Sequence, residues 1–169
     1  SAYLGVRETR RIEGRYTLTY EDVRDGKRFA DAVGVMTSVD YGTAELHGPE
    51  FGHEGSAADK WARELSLKLM RYEFPLSSMI PRNIANLVVT GRCASFTHDV
   101  DKFQRNMAPT GLAGQAAGVL GAVFARESAA DWANLPVGKV QDMLEKQGVP
   151  VRLPEGAAHS NIDKHALPA

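Results

Sequence analysis

Residues 86–100 read NLVVTGRCASFTHDV, in which a short apolar run stops at Gly91-Arg92 and gives way to small polar residues and a histidine. A short apolar run that ends at a glycine is typical of a buried strand. Glycine has no side chain, so another group can touch the backbone at that position. The stretch therefore predicts a buried strand that ends at a point of close contact.

A long run of low charge follows at residues 107–125, MAPTGLAGQAAGVLGAVFA. Its length and composition permit a membrane-spanning helix. Much of the run is Gly and Ala, which contribute little to insertion, and three residues interrupt it: Pro109, Thr110 and Gln115. A buried helix of a soluble core is the favoured interpretation.

Glycines recur within this predicted helix, although each interior glycine costs roughly 1 kcal/mol relative to alanine. Gly114, Gly118 and Gly121 fall on one helix face, where a sheet or a flat ligand can approach the backbone. We expect the helix to begin near Thr110. Its unpaired N–H groups and positive dipole end would then favour a carbonyl oxygen or an anion.

Local signals predict other elements. The first third is strand-like, with alternation around Tyr16 and Leu18, and Thr19 is a helix N-cap candidate three residues before Asp22. Asp25-Gly26 predicts a turn. The segment GKVQDMLEKQG predicts an amphipathic helix that ends at Gly148, with one apolar face: Val140, Met143 and Leu144. The segment WARELSLKL, residues 61–69, leaves helix or strand open.

Composition gives broad bounds. The chain has 169 residues, enough for a real core, and a formal net charge of -1, which gives no general attraction for nucleic acid or an anionic membrane. Its single cysteine, Cys93, excludes an intrachain disulfide and fits a reducing compartment, although an exported protein can also lack disulfides; we expect a cytoplasmic protein. The first residues, SAYLGVRETRR, contain no apolar core of signal-peptide length.

Four blocks resemble, in order, the carboxy-terminal part of FAD-dependent oxidoreductases of the glutathione-reductase-like flavoprotein superfamily. They are RETRRIEGRYTLTYEDV, YEFPLSSMIPRNIANLVVTGRCASFTHDV, RNMAPTGLAGQAAGVLGAVFA and VQDMLEKQGV. The resemblance implies an α/β fold, the carboxy-terminal portion of a two-domain, Rossmann-like FAD-binding fold. We expect a β-rich, substrate-side segment at residues 1–80, the last part of the FAD-binding domain at 81–150, and an irregular tail at 151–169.

The resemblance also assigns the opening stretch. Gly91 and Arg92 would lie beside the ribityl and pyrophosphate region of FAD, and the helix near Thr110 would direct the N–H groups of Gly111 and Leu112 at the flavin's pyrimidine edge. There its dipole would stabilise charge that builds around N1 and O2. Most of the superfamily has an acidic residue where Arg92 stands, so the partner of Arg92 stays open: cofactor phosphate, substrate carboxylate or internal carboxylate. The predicted cofactor-binding residues are Gly91, Arg92, Ser95, Met107, Pro109, Thr110, Gly111, Leu112, Gly114 and Gln115.

Flavoenzymes of this kind begin with a G-x-G-x-x-G strand–helix unit, and no such sequence occurs in this chain. We therefore expect a second polypeptide that carries the amino-terminal G-x-G-x-x-G half, either separately encoded or cleaved from a precursor. The predicted function is hydride transfer from a small organic substrate, at a C–H bond next to a hydroxyl or amine, to flavin. The alternative is a non-catalytic subunit that completes a partner's fold.

The catalytic candidates are His98, Arg105 and His47. His98, expected in a loop, could hold the flavin or act as an acid or base, and an ordinary loop histidine is the competing interpretation. Arg105 could bind an anionic group or form a surface ion pair. His47 resembles a substrate-side histidine of the family, and we predict no metal, because the spacing of histidines and glutamates at residues 47–54 fits no standard motif. Cys93 is expected to be a small buried residue beside the cofactor, and resemblance places Arg7 or Arg10 near the active-site cavity.

Overall fold

The computed structural model describes residues 8, 10–39, 69–127 and 136–156. A two-stranded antiparallel sheet lies at the centre of this part, with β1 (Ala32–Val39) paired to β2 (Leu69–Pro75) so that Val35 faces Glu73. The remaining elements are 3-10 turns at Leu76–Ser78 and Gly91–Cys93 and helices α1 (Tyr20–Arg24), α2 (His98–Gln104), α3 (Met107–Arg126) and α4 (Val137–Lys146). Strands and helices occur together, in agreement with the predicted α/β class.

Helix α3 lies directly against β1, and a glycine in the strand makes that approach possible. A Cβ built on Gly34 would lie 2.9 Å from Cδ2 of Leu112. Small and branched apolar residues form the buried face of α3: Pro109, Ala113, Ala116, Val119, Leu120 and Val123. This close approach is made by a glycine of the strand and Leu112 of the helix, and not by the helix glycines for which a close neighbour was predicted.

The glycines of α3 face outward. Gly111, Gly114, Gly118 and Gly121 are exposed, and a Cβ built on any of them meets no described atom within 4 Å. The part of the chain that the structure describes therefore does not supply the close neighbour expected on this face. By length and composition alone α3 could cross a membrane, as core helices of soluble proteins also can, and 33% of its most apolar window is buried.

Helix α4 confirms the sequence prediction. Val140 and Leu144 are buried and Met143 is half-buried against the core. The helix ends at Lys146, and Gly148, which follows the C-cap residue Gln147, terminates it with a φ of 80°. The N–H of Gly148 donates to the carbonyl of Glu145 at 2.9 Å and that of Val149 to Leu144 at 3.0 Å, the hydrogen-bond pattern of a Schellman motif.

The segment after α4 packs along β1. The N–H of Val35 donates to the carbonyl of Pro150 at 2.7 Å, and three alternate residues of the segment are buried: Val149, Val151 and Leu153. We predicted an irregular tail from residue 151. No helix or strand forms at residues 151–156, but this segment is part of the core.

A buried carboxylate fixes the segment to the sheet. Glu73 is fully buried and accepts hydrogen bonds from Nη1 of Arg28 at 2.7 Å and from the N–H groups of Phe29, at 2.9 Å, and Leu153, at 3.0 Å. Its charge is therefore well solvated by the protein itself.

The predicted buried strand at the opening stretch is wrong. Residues 87–90 form no strand, and Leu87 is 40% exposed. The N–H of Val89 bonds to the carbonyl of Met79 at 2.8 Å, but among the described residues no second strand lies alongside. A strand needs a neighbouring ladder, so an apolar run alone does not form one.

Near Tyr16 and Leu18 the predicted alternation yields only isolated bridges, Gly14 to Pro81 and Leu18 to Phe96. The predicted N-cap is confirmed, because Thr19 and Asp22 form a capping box at the start of α1. The Asp25-Gly26 turn is confirmed as well, with a φ of 65° at the glycine. Residues 61–68 lie outside the described part, and β2 begins at Leu69.

Helix α2 corrects the placement of His98, which we expected in a loop. His98 is the first residue of this helix, with Thr97 at the N-cap. The helix buries Val100 and Phe103. Two acidic residues in its first turn, Asp99 and Asp101, interact favourably with the positive end of the helix dipole.

Candidate functional site

The Gly91–Cys93 turn lies against the first turn of α3. Gly91 has a φ of 70°, in the left-handed region that favours glycine, and a Cβ built on it would lie 3.7 Å from Cγ2 of Thr110. The structure thus brings together the two features that the sequence singled out, the glycine after the apolar run and the start of the glycine-bearing helix.

The amino end of α3 lies almost one turn earlier than predicted. The helix begins at Met107 with Asn106 at the N-cap, and the N–H of Thr110 already donates to the carbonyl of Asn106 at 3.0 Å. Among the described residues no side chain caps this end; the Asn106 amide instead donates to Oγ of Ser38 at 2.7 Å. The N–H groups that helix geometry leaves unpaired are therefore those of Met107 and Ala108, since Pro109 has none.

This shift changes the role of two predicted residues. The N–H groups of Gly111 and Leu112 lie in the second turn of α3, where they bond to carbonyls of the first turn. They are therefore not the free donors that we expected. Gly111 still leaves its backbone open on the outer side of the helix, because no described atom lies within 4 Å of a Cβ built there.

Some predicted cofactor-binding residues face outward. Met107 is 91% exposed, and Gly111, Gly114 and Gln115 are exposed on the same helix. The Gln115 amide donates to Oε1 of Gln147 at 2.8 Å and so joins α3 to the end of α4.

Other predicted residues point into the core. Ser95 is 2% exposed, and its hydroxyl shares a hydrogen bond of 2.9 Å with Oγ1 of Thr17. Pro109 is buried, and Leu112 packs on Gly34 of β1. These side chains pack within the fold next to the turn and the helix start. Direct contact of any of them with the cofactor stays a prediction.

Arg92 and Cys93 are exposed within the turn. The buried position predicted for Cys93 is wrong, since its thiol is free and exposed. The preceding residue, Thr90, has a buried hydroxyl oxygen that finds no hydrogen-bond partner among the described residues. A buried hydroxyl of this kind is normally satisfied, so a polar group from outside the described part is expected to complete it.

A cluster of charged side chains lies next to this turn. Oε1 of Glu8 is 2.7 Å from Nη1 of Arg11, and Oε2 of Glu8 is 2.6 Å from Nδ1 of His98. The Arg11 guanidinium lies over the ring of Phe96, 5.4 Å from its centroid. Helix α2 carries His98 and packs against both the Gly91–Cys93 turn and α3.

Asp101 is the buried member of this cluster. Its carboxylate lies 3.8 Å from Nη1 of Arg105 and 4.0 Å from Nη1 of Arg11, and its Oδ1 has no hydrogen-bond partner among the described residues. Burial raises the pKa of Asp101 and the nearby Glu8 charge adds to the rise, while Arg105 and Arg11 oppose it. Partial burial acts to raise the pKa of Glu8, but hydrogen bonds from Arg11 and His98 outweigh it and lower that pKa.

Two of the three catalytic candidates, His98 and Arg105, therefore share one cluster beside the turn. The third, His47, lies outside the described residues, as do Arg7 and residues 50–54. Arg10 is exposed. Within the described ranges, no group of three or more His, Cys, Asp and Glu side chains could hold a metal ion.

Sequence reasoning missed Glu8 and Asp101. The spacing of Asp101 and Arg105 is a helical i,i+4 pair, a signal that becomes visible only once α2 is recognised. Nothing local pairs Glu8 with His98, because 90 positions separate them.

A protein-family model described as "FAD dependent oxidoreductase" matches residues 1–144. Neither the curated proteins nor the solved structures contain a match to the chain. The matched range includes the Gly91–Cys93 turn, all of α3 and the charged cluster.

Proposed function

Because the chain belongs to the FAD-dependent oxidoreductase family, with FAD as cofactor and a flavin-linked redox function, we propose that the Gly91–Cys93 turn and the start of α3 form its flavin-binding surface. The observation that carries this proposal is the packing of the Gly91–Cys93 turn, with Gly91 in a left-handed conformation, against the helix that begins at Met107. At Gly91 itself no side chain keeps a ligand away from the backbone.

The residues present fit FAD. The uncapped helix start offers the N–H groups of Met107 and Ala108 to oxygen atoms or negative charge. The Thr90 hydroxyl is buried without a described partner. Gly111 and Gly114 leave open space that a Cβ would fill. Hydrogen-bond donors and bare backbone on one surface suit a flat, oxygen-rich ring system.

FAD, when bound, accepts a hydride from a C–H bond next to a hydroxyl or amine of a small organic substrate, and its electrons pass on to oxygen or another acceptor. The chain's own contribution is electrostatic and positional. The positive end of α3 would favour negative charge on a ring bound against it, because a preorganised dipole in a closed site needs no reorganisation. His98 begins the neighbouring helix α2 and is 67% exposed at its side chain, which leaves it open to a substrate, whereas Arg105, at the C-cap of that helix, is 22% exposed and lies 3.8 Å from Asp101.

We further propose that the fold is glutathione-reductase-like and two-domain, and that a second polypeptide carries the G-x-G-x-x-G half. Two observations support this proposal. The outward glycine face of α3 meets no described residue, and apolar side chains near the opening stretch are exposed, with Ile84 at 53% and Leu87 at 40%. A sheet that pairs with residues 87–90 and packs on the glycines would cover both.

The alternative, a structural subunit that only completes a partner's fold, uses the same exposed face. It differs in one respect: the Gly91 turn and the start of α3 would then touch protein and no flavin. A complex that contains both polypeptides and no flavin supports this second function.

The test is an absorbance spectrum of the natively purified complex together with the intact mass of every chain. We expect flavin bands, a second polypeptide, and loss of the flavin bands when hydroxy acids, amino acids or amines are added under anaerobic conditions. A colourless complex that does not take up added FAD would overturn the proposal.

A further inference from the structure

The Glu8–His98 contact defines which nitrogen of the ring carries a proton. Oε2 of Glu8 lies 2.6 Å from Nδ1 of His98. An ionised carboxylate can only accept hydrogen bonds, so Nδ1 must be the donor, and in the neutral ring Nε2 is then an acceptor. The lowered pKa of Glu8 keeps this carboxylate ionised at neutral pH.

We propose that Glu8 is a positioning residue that holds His98 in this tautomer, so that Nε2 takes the hydroxyl or amine proton when the substrate is oxidised. The inference rests on the proposed flavin-linked oxidation, whose site it deepens by naming the proton acceptor and the group that orients it. His98 is 67% exposed at its side chain, so its Nε2 edge is accessible to a substrate and later to water.

Glu8 is itself held in place. Its second oxygen, Oε1, accepts a hydrogen bond of 2.7 Å from Nη1 of Arg11. Arg11 is only 20% exposed at its side chain and lies over the ring of Phe96. A carboxylate fixed at both oxygens orients an imidazole better than a free surface glutamate does, because less side-chain entropy is lost when the pair forms.

Other charges around the ring come from two elements. Glu8 and Arg11 approach from the amino-terminal segment, and α2 carries the remaining ones: Asp99, Asp101, Lys102 and Arg105. Asp99 is engaged by Lys102 at 2.9 Å, and Asp101 is buried between Arg11 and Arg105. Glu8 is therefore the carboxylate in hydrogen-bond contact with the ring, and it faces the positive charge that His98 gains.

For an alcohol substrate, the protons and electrons of this step balance as follows. The O–H bond breaks, its proton goes to Nε2 of His98, and its electron pair becomes the second bond of the carbonyl. The C–H hydrogen leaves with its electron pair as a hydride to FAD. The substrate is oxidised by two electrons and the cofactor is reduced by two.

The test is the tautomer of His98, measured by NMR on the natively assembled protein labelled with ¹⁵N-histidine and assigned with His98→Asn. We expect the Nδ1-protonated form in the wild type, and a shift toward the Nε2-protonated form in Glu8→Gln, whose amide can donate as well as accept. Glu13→Gln is the matched control, because Glu13 pairs with Arg82 at the surface, at 2.6 Å.

A kinetic readout accompanies the spectrum. Glu8→Gln should slow anaerobic flavin reduction about tenfold to a hundredfold with little change in KM, because general-base catalysis contributes about 10²–10⁴-fold and only part of it is lost. Glu8→Asp should recover part of the rate, and Glu13→Gln should have the wild-type rate.

The outcomes separate the two proposals. A wild-type His98 protonated on Nε2, or a Glu8→Gln variant with unchanged tautomer and rate, overturns the role of Glu8 and leaves the flavin function intact. The expected tautomer in a protein that takes up no FAD supports the Glu8–His98 geometry and overturns the proposed flavin site.

Discussion

Replacing the outward glycines of α3 by alanine should make the chain more stable and its flavin site worse. Gly111 and Gly114 are exposed, and a Cβ on either meets no described atom within 4 Å. An interior helical glycine costs about 1 kcal/mol relative to alanine, so the double variant gains at most about 2 kcal/mol. For a chain of this length, about 1 kcal/mol corresponds to roughly 2–4 °C, so the Tm should rise by up to about 8 °C.

FAD retention should change in the opposite direction. A methyl group inserted into a well-packed contact costs about 1–3 kcal/mol, which weakens FAD binding at least several-fold. The measurements are thermal unfolding of the purified chain by circular dichroism and the FAD content of the native complex by absorbance.

Gly138→Ala is the matched control, because Gly138 lies on α4 and is exposed, and a Cβ built on it also meets no described atom within 4 Å. It should leave FAD content unchanged. The reasoning fails if the double variant loses stability, which would mean that the face is already packed. Wild-type FAD content in the double variant would likewise show that the flavin lies elsewhere.

Three further predictions concern other parts of the chain. Gly91→Ala and Gly148→Ala should each cost about 1–2 kcal/mol of unfolding free energy in urea, because both positions have a positive φ, but only Gly91→Ala should lower FAD affinity. Glu73→Ala should cost about 3 kcal/mol, since a fully buried carboxylate and its three hydrogen bonds are lost and the N–H groups of Phe29 and Leu153 lose their acceptor; a loss below about 1 kcal/mol would contradict this role of Glu73. Burial acts to raise the pKa of Asp22, but hydrogen bonds from Tyr16, the Thr19 N–H and Lys27 outweigh it and lower that pKa. The ionised Asp22 therefore stabilises the fold above the ordinary pKa of the group, and this stability is lost as the pH falls through the lower pKa of the folded state. Asp22→Asn should reduce the fall of Tm at acidic pH, measured as a Tm–pH profile.

Elements encoded by neighbouring residues could be predicted from the sequence. The stop of α4 needs only Gly148 and the preceding helical turn, and the start of α1 needs only Thr19 and Asp22. Both depend on hydrogen bonds between residues a few positions apart, which residue type and spacing determine.

Features that depend on distant partners could not be predicted. The apolar run at residues 87–90 has the composition of a strand, but a strand forms only beside another. The buried hydroxyl of Ser95 bonds to Thr17, which lies 78 positions away. The ring of His98 bonds to Glu8, which lies 90 positions away. Helix α2 was not predicted because its seven residues are too few to show the 3.6-residue repeat of apolar residues that indicates a helix.

The hydrogen bonds that fix residues 150–153 to strand β1 and to Glu73 have a consequence for biosynthesis. Strand β1 is translated well before residues 150–153, yet the N–H of Val35 donates to the carbonyl of Pro150 and Arg28 donates to the carbonyl of Leu153. The nascent sheet must wait with one edge uncovered until the final described stretch has been translated. An uncovered strand edge is open to other chains, so we expect the docking of residues 150–153 on β1 to be a late step of folding.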